Sequence, residues 1–279
     1  MEERIFCMSS MLLPPHFQII DSSSRCFEGD IVYPFAWDEV IARKVGEGLL
    51  PPMIHLWRHQ RAFVLGLRDR RLPQAEKAMR TFEAEGYAVT VRNSGGAAVP
   101  LDPGVLNISI ICPNLNRNMS ISQDFELMYQ VIQAALQAIG GRVQKGEIVG
   151  SYCPGDYDLS ISGRKFCGIA QRRQIKASIV QAFIVITGSG QARAEQAQRF
   201  YEIAAPTEDT KGALDVRLEA MASLAELTGI GTVERFREGL LTFLEGCGGR
   251  VMGSDTIARY QQEIKAQSDE LKMRYEARR

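Results

Sequence analysis

The sequence predicts an α+β fold with a helical C-terminal region, on three observations. Short apolar runs of strand length recur through roughly the first 190 of the 279 residues. Segments with apolar residues at helical spacing sit between them. The remaining 90 or so residues carry helical patterns alone. Strands framed by helices in one region, followed by helices in the next, describe an α+β core with an appendage.

Residues 1–33 read as a loosely held lead-in with one strand at 17–20. Pro34 opens a helix whose apolar face is Phe35, Trp37, Val40, Ile41 and Val45, closed by residues 46–52. Residues 54–58 and 62–66 are short, apolar and separated by three polar residues, so they are expected to pair with each other. Residues 72–86 form an amphipathic helix with Pro73 in its first turn and Gly86 at its end. Residues 89–92 and 105–112 are central strands flanking the loop 93–104, and 124–139 is a strong helix ending at Gly140 and Gly141. From 143 to 188 the pattern is strand, including the buried run 179–186 and a hairpin turn at Ser162-Gly163. Helices are expected over 191–204, 215–227, 233–245 and 255–279, the last polar except for a stripe at Ile257, Tyr260, Ile264 and Leu271. The domains expected are a lead-in (1–33), a catalytic core (34–205) and a helical region (206–279), divided at the Pro206 to Gly212 loop.

Composition narrows the function. Thirty-three Lys and Arg balance thirty-three Asp and Glu, which argues against a general nucleic-acid or membrane-surface binder. No run approaches the roughly 18 apolar residues of a membrane span. The first fifteen residues, acidic and interrupted, do not read as a secretory signal. The six cysteines (Cys7, Cys26, Cys112, Cys153, Cys167 and Cys247) are scattered, with no C-x-x-C pair and no histidine cluster. Free thiols, no metal and a cytoplasmic setting are expected.

Two segments carry candidate chemistry. In Arg92-Asn-Ser-Gly-Gly-Ala-Ala-Val99, small side chains let backbone N–H groups approach a ligand closely; the same pattern also suits a tight turn. In Ser151-Tyr-Cys-Pro-Gly-Asp-Tyr-Asp-Leu-Ser160, Cys153 stands in a Pro/Gly turn among polar residues. The hairpin after it can bring Lys165 to the same pocket, and an ammonium beside a thiol stabilises the reactive thiolate. No histidine is near Cys153 in sequence, and a small loop residue is the alternative reading.

With four further stretches these segments resemble the lipoate/biotin protein ligase superfamily. Within it they resemble the lipoyl-pathway amidotransferases, the octanoyl-[glycine cleavage H protein]:protein octanoyltransferases. The resemblance spans residues 34 to about 250. It rests on His55-Leu-Trp-Arg58 with Val64-Leu-Gly-Leu-Arg-Asp69, on Val91 to Asp102 with Gly104-Val-Leu-Asn107, and on Ser151 to Ser160 with Gly163 to Arg173. It implies a ligase-like mixed β-sheet core flanked by helices. It implies that Cys153 is the acyl-thioester nucleophile and Lys165 the lysine that activates it and meets the acyl carbonyl. Arg92, Ser94, Gly95, Gly96, Ala97 and Ala98 match the loop beside the acyl chain, and Gly168 and Ala170 belong to the substrate-binding stretch after Lys165.

The implied reaction moves an octanoyl group from a lysine of the glycine cleavage H protein to a lysine of 2-oxoacid dehydrogenase lipoyl domains, without cofactor. ATP-dependent lipoate ligases carry a glycine where Ala97 stands and need no cysteine where Cys153 stands. Octanoyltransferases that draw on acyl carrier protein tend to carry Thr-Gly-Gly-Arg where this chain has Ser94-Gly-Gly-Ala97. Both remain rival readings, as does a binding module without chemistry, which would have no need of Cys153 and Lys165.

Other candidates have plainer readings. Cys167 and Cys247 read as packing or helix-terminal thiols, and His55 and His59 as structural or surface residues. Asp156 and Asp158 orient or cap the cysteine turn. Arg172, Arg173 and Lys176 either meet an acidic carrier or form a solvated strand face.

Overall fold

The computed structural model describes residues 13–114, 121–137, 142–206, 213–253 and 255–276. The chain opens with β1 (Phe17–Phe27), α1 (Val32–Gly46), β2 (Met53–His59) and β3 (Ala62–Leu65). Next come α2 (Ala75–Ala84), β4 (Ala88–Val91), β5 (Val99–Leu101), β6 (Val105–Pro113) and α3 (Ile121–Gln137). Then follow β7 (Gln144–Lys145), β8 (Leu159–Ile161), β9 (Arg164–Arg173), β10 (Ala177–Val185) and α4 (Gly190–Ala204). The last elements are α5 (Leu224–Thr228), α6 (Val233–Gly246), β11 (Gly249–Met252), α7 (Asp255–Ala258) and α8 (Gln261–Glu276).

Eight strands form a mixed sheet in the order β11-β1-β2-β6-β10-β9-β8-β7, and β4-β3-β5 form a second, small sheet. Side chains alternate across a strand, so each central strand serves two cores. The even positions Ile54, Leu56, Leu106, Ile108, Ile110, Val180, Ala182 and Ile184 pack against α3 and α6. On the odd face the two ends of the strands are covered separately. Met53, Ile111, Ala177 and Ile179 lie under α1 and α8. Trp57, Val105, Phe183 and Val185 share a cluster with the small sheet, α2 and α4, where Phe63 meets Phe82 and Phe200 at 4.4 and 5.2 Å. Each such side chain contributes about 1.5–3 kcal/mol by leaving water. Between the two covered ends, the odd positions are His55, Asn107, Ser109 and Gln181. The middle of this face is therefore polar, and it lies between two hydrophobic clusters.

Most predicted elements stand within two or three residues of their expected bounds. The Ser162-Gly163 turn has both φ values positive, at 52° and 74°, as a two-residue β8–β9 hairpin requires. The stripe Ile257, Tyr260, Ile264 and Leu271 is buried, and it packs the C-terminal helices onto α1. The helix end at Gly140 and Gly141, Cys7, and the start and end of the chain lie outside the described residues.

Five expectations are corrected. Residues 89–92 are not a central strand: β4 is an edge of the small sheet, and the stretch 93–104 holds β5, which pairs with β3 on its other side. Residues 54–58 and 62–66 do not pair: β2 lies between β1 and β6, while β3 joins β4 and β5. All seven residues of β2 are buried, so it needs a neighbour on both edges, and the chain turns at Gln60 and Arg61 into the second sheet. The lead-in strand runs on to Phe27 and lies inside the large sheet, between β2 and β11. Residues 249–252, expected outside any strand, add β11 parallel to β1. The helix expected over 215–227 is replaced by an extended segment and the short α5, capped by a Ser223/Glu226 capping box. A helix is too wide for that place. Ala222 donates its N–H to the Lys165 carbonyl at 2.9 Å, Arg217 donates to the Gly150 carbonyl at 2.7 Å, and the backbone of Ala222 lies where a Cβ on Gly190 would fall.

The histidines predicted to be structural are so. His55 and His59 are both 1% exposed. His59 Nδ1 accepts the Arg61 N–H at 3.0 Å and Nε2 donates to the Gly29 carbonyl at 3.3 Å, which specifies the neutral ring. Burial lowers the His59 pKa below its ordinary 6.5, because a charged ring would be desolvated. The unfolded chain then binds the proton more readily. This contribution to stability is complete above pH 6.5 and is lost as pH falls through the lower, folded value. Urea unfolding between about pH 7.5 and about pH 5.5 should show stability falling with acid. In His59→Gln that slope should flatten; an unchanged slope would remove His59 as its source.

Candidate active site

The polar middle of the sheet is the floor of a narrow slot with an open mouth and a cavity volume of about 30 Å³. Two rows of side chains cross it. Trp57, Asn107, Phe183 and Gly168 stand opposite one another on β2, β6, β10 and β9. His55, Ser109, Gln181 and Ala170 form the next row. Asp38 of α1 satisfies this second row: its oxygens take His55 Nδ1 at 3.0 Å, Ser109 Oγ at 2.5 Å and Gln181 Nε2 at 2.8 Å. Val64, Val99, Leu101 and Phe35 supply apolar walls, and Arg92, Ser94 and Cys153 complete the lining. The lining, apolar with a few polar atoms, suits a thin and largely apolar ligand.

Sequence reasoning missed Trp57, Asn107, Ser109 and Gln181 as slot residues. Their signal was present: three of the four are polar residues at odd positions of otherwise apolar central strands. The indole Nε1 of Trp57, Nδ2 of Asn107 and Oγ of Ser94 are buried there without a protein partner.

Cys153 is buried, with φ at 50°, a left-handed conformation that costs a non-glycine residue of order 1–3 kcal/mol. The strain is held by Lys165 of β9. Its ammonium donates to the carbonyls of Tyr152 at 2.9 Å and Cys153 at 2.6 Å, and pairs with Asp158 Oδ1 at 2.8 Å. All three ammonium hydrogens thus have acceptors. Lys165 is 0% exposed and Asp158 1%. Burial pushes the Asp158 carboxyl above its ordinary range, and the Lys165 charge works against that. Asp158 also accepts from Ile148 N–H and Ser151 Oγ, both at 3.4 Å, so it orients the turn that carries Cys153.

The sulfur faces a different cation. Arg92 Nη2 donates to Cys153 Sγ at 3.1 Å, and Ala97 N–H donates to it at 3.2 Å. Arg92 also bonds its own loop, to the carbonyls of Gly95 at 3.1 Å and Ala97 at 2.8 Å. Gly96 makes this possible: its φ is 97°, and a Cβ there would fall 2.5 Å from Arg92 Nη2 and 2.7 Å from Cys153 Sγ. Gly96→Ala should cut the rate of Cys153 alkylation by iodoacetamide at least several-fold, because the methyl would displace both groups; an unchanged rate would contradict the crowding.

The predicted residues therefore converge, with divided roles. Arg92, Ser94, Cys153, Gly168 and Ala170 line the slot. Gly95 and Gly96 are exposed beside it, Ala97 serves the sulfur through its backbone, and Ala98 is fully buried behind the loop. Lys165 lies under the cysteine backbone and outside the slot lining. Arg172 pairs with Glu39 at 2.6 Å and Arg173 with Asp124 at 3.1 Å, so both are engaged within the chain. Cys112 and Cys167 are buried thiols whose pKa burial raises, to about 12 at Cys112. Cys247 caps α6 and packs against the core under the large sheet.

The profile of the lipoyl protein ligase A/B catalytic domain matches residues 30–245. The chain is 44% identical over 246 residues to the octanoyl-[GcvH]:protein N-octanoyltransferase of Geobacillus kaustophilus, covering 88% of this chain and 87% of that one. It is 37% identical over 220 residues to the lipoyl-[GcvH]:protein N-lipoyltransferase of Listeria monocytogenes, covering 78% and 79%. The structure of lipoate-protein ligase A bound with ATP superposes with a TM-score of 0.65 over 93% of this chain and 94% of that one. At 18% identity that likeness is one of fold. With a ligase-like fold, the matched catalytic domain and relatives of this similarity over most of its length, the chain belongs to the lipoyl protein ligase A/B catalytic-domain family, in its acyltransferase branch.

Proposed function

We propose that this chain is an octanoyl amidotransferase that works through a thioester on Cys153. The observation that carries the reading is the sulfur at a slot fit for an acyl chain, receiving hydrogen bonds from the Arg92 guanidinium and the Ala97 amide. The same pair is poised for negative charge developing at and beside the sulfur. The names of the relatives supply the octanoyl group and the H protein as donor.

In the first half-reaction the thiolate attacks the octanoyl-lysine amide of the H protein. A C–S bond forms, the C–N bond breaks, and the proton from the thiol ends on the released lysine amine. In the second, the amine of a lipoyl-domain lysine attacks the thioester, an amide forms and the thiol is regenerated. Lys165 and Asp158 hold the strained turn throughout, and Gly168 keeps the slot open at Phe183. A Cβ on Gly168 would fall 2.5 Å from the Phe183 ring. Gly168→Ala should therefore lower kcat/KM for octanoyl transfer more than for butanoyl transfer, and equal losses would place the crowding away from the acyl chain.

The test is a nucleotide-free assay with octanoylated H protein and apo lipoyl domain, read by intact mass. Octanoyl on the lipoyl domain is the expected result. Transfer from octanoyl-acyl carrier protein but not from the H protein would keep the cysteine chemistry and change the donor. Transfer that requires ATP would overturn the reading.

A further inference from the structure

Two buried residues outside the slot, Asp69 and Tyr201, meet behind the loop that supplies both donors to Cys153. Asp69 begins a short turn after β3 and is 1% exposed. Its Oδ2 accepts the Gly66 N–H at 2.7 Å, and its Oδ1 accepts the Tyr201 hydroxyl at 2.8 Å. The Tyr201 oxygen in turn accepts the Ala98 N–H at 3.4 Å. Tyr201 comes from α4, so three elements distant in sequence are tied at one point. The loop is seated on the same turn by its backbone. Arg92 N–H donates to the Leu65 carbonyl at 2.9 Å, and the Gly96 carbonyl oxygen occupies the place a Cβ on Gly66 would take.

A carboxyl group this deeply buried is costly unless it does something for which a neutral side chain would not serve. Asp69 takes its hydrogen bonds from an amide and a phenol, while the Arg92 guanidinium is the cation whose charge it feels. Burial raises the Asp69 pKa, and Arg92 opposes the rise. The brace therefore reaches both donors of the site through the backbone: Tyr201 holds Ala98, which adjoins the Ala97 amide, and the Gly66 turn that Asp69 caps follows Leu65, whose carbonyl seats the Arg92 N–H.

We propose that Asp69 and Tyr201 are positioning residues for acyl transfer, bracing the 92–98 loop so that Arg92 and the Ala97 amide stay aimed at the Cys153 sulfur. The proposal rests on Cys153 as the nucleophile. Neither residue lines the slot, so neither is required for holding the acyl chain.

Tyr201→Phe and Asp69→Asn test it with two readouts. One is alkylation of Cys153 by iodoacetamide against pH, followed on the Cys153 peptide because other thiols are present. The other is kcat and KM for octanoyl transfer. With the brace cut, the alkylation curve should move to higher pH and kcat should fall roughly 10- to 100-fold, the scale of a small misplacement of catalytic groups. KM for the acylated donor should stay within about twofold, since the slot is untouched. The double variant should cost no more than the worse single one, because the two residues act as a unit. An alkylation curve that coincides with wild type, with kcat lost only in proportion to unfolded protein, would overturn the proposal. Should Tyr201→Phe fold poorly, Asp69→Asn carries the same test, because it keeps an acceptor for Gly66 and removes the charge. Alkylation uses no acyl substrate, so a wrong donor assignment leaves this result readable. An active Cys153→Ala would instead sink the parent reading.

Discussion

Cys153→Ala should abolish octanoyl transfer and leave no acylated enzyme detectable by intact mass. Among the described residues, no other cysteine lines the slot. Cys112 and Cys167 are buried thiols whose proton burial holds, and Cys247 lies at the end of α6 in another core. Nothing else in the slot can form a thioester. Losing a covalent nucleophile usually removes most of the acceleration, by roughly 10⁶ in a well-studied hydrolase. The variant should remain folded, because a methyl group replaces a thiol at a position already held by Lys165 through the backbone. Turnover near the wild-type rate would end the thioester mechanism. Loss of transfer with loss of the folded far-ultraviolet signal would leave the chemistry to Cys153→Ser.

Lys165→Met should cost both stability and activity, for separable reasons. Lys165 and Asp158 form a buried pair, and deleting one partner strands the other's charge, typically at about 3–5 kcal/mol. The Asp158 carboxyl, already raised by burial, would rise further without the ammonium. A raised folded pKa means that the folded protein keeps the proton longer than the unfolded chain does. The variant is then penalised least at low pH, and the penalty grows as pH rises through the folded value. Relative to wild type, unfolding of Lys165→Met should be closer to normal near pH 5 than near pH 8. Adding Asp158→Leu removes the stranded charge and should recover much of the stability. Transfer should stay impaired, because the carbonyls of Tyr152 and Cys153 lose their donor and the turn its left-handed conformation. Recovery of full activity in the double variant would show that the pair serves the fold alone.

Much of the architecture is legible along the chain. Strand-length apolar runs and helical stripes mark elements whose neighbours are set by local periodicity, and even the weak stripe from Ile257 to Leu271 proved to be a buried face. Pairing partners are less accessible. Residues 54–58 and 62–66 look like a hairpin because they are adjacent and apolar, yet β2 is claimed on both edges by strands far from it in sequence. Segment 215–227 has helical composition, and close backbone approach at Gly190 and Gly150 imposes an extended path instead.

The site divides in the same way. Residue order and type mark the cysteine turn and the small-residue loop as candidates, and the family resemblance singles out Cys153 and the lysine twelve positions after it. Which cation meets the sulfur is decided by tertiary structure. Arg92 reaches Cys153 from 61 positions away, while Lys165 spends its three hydrogens on two carbonyls and Asp158. The slot is likewise a product of assembly: His55, Asn107, Ser109 and Gln181 are scattered polar residues until the register of three strands sets them side by side. Periodicity acts over a few residues and can be read from the chain. Hydrogen-bond direction and strand register depend on contacts between distant segments, and those exist only once the fold has formed.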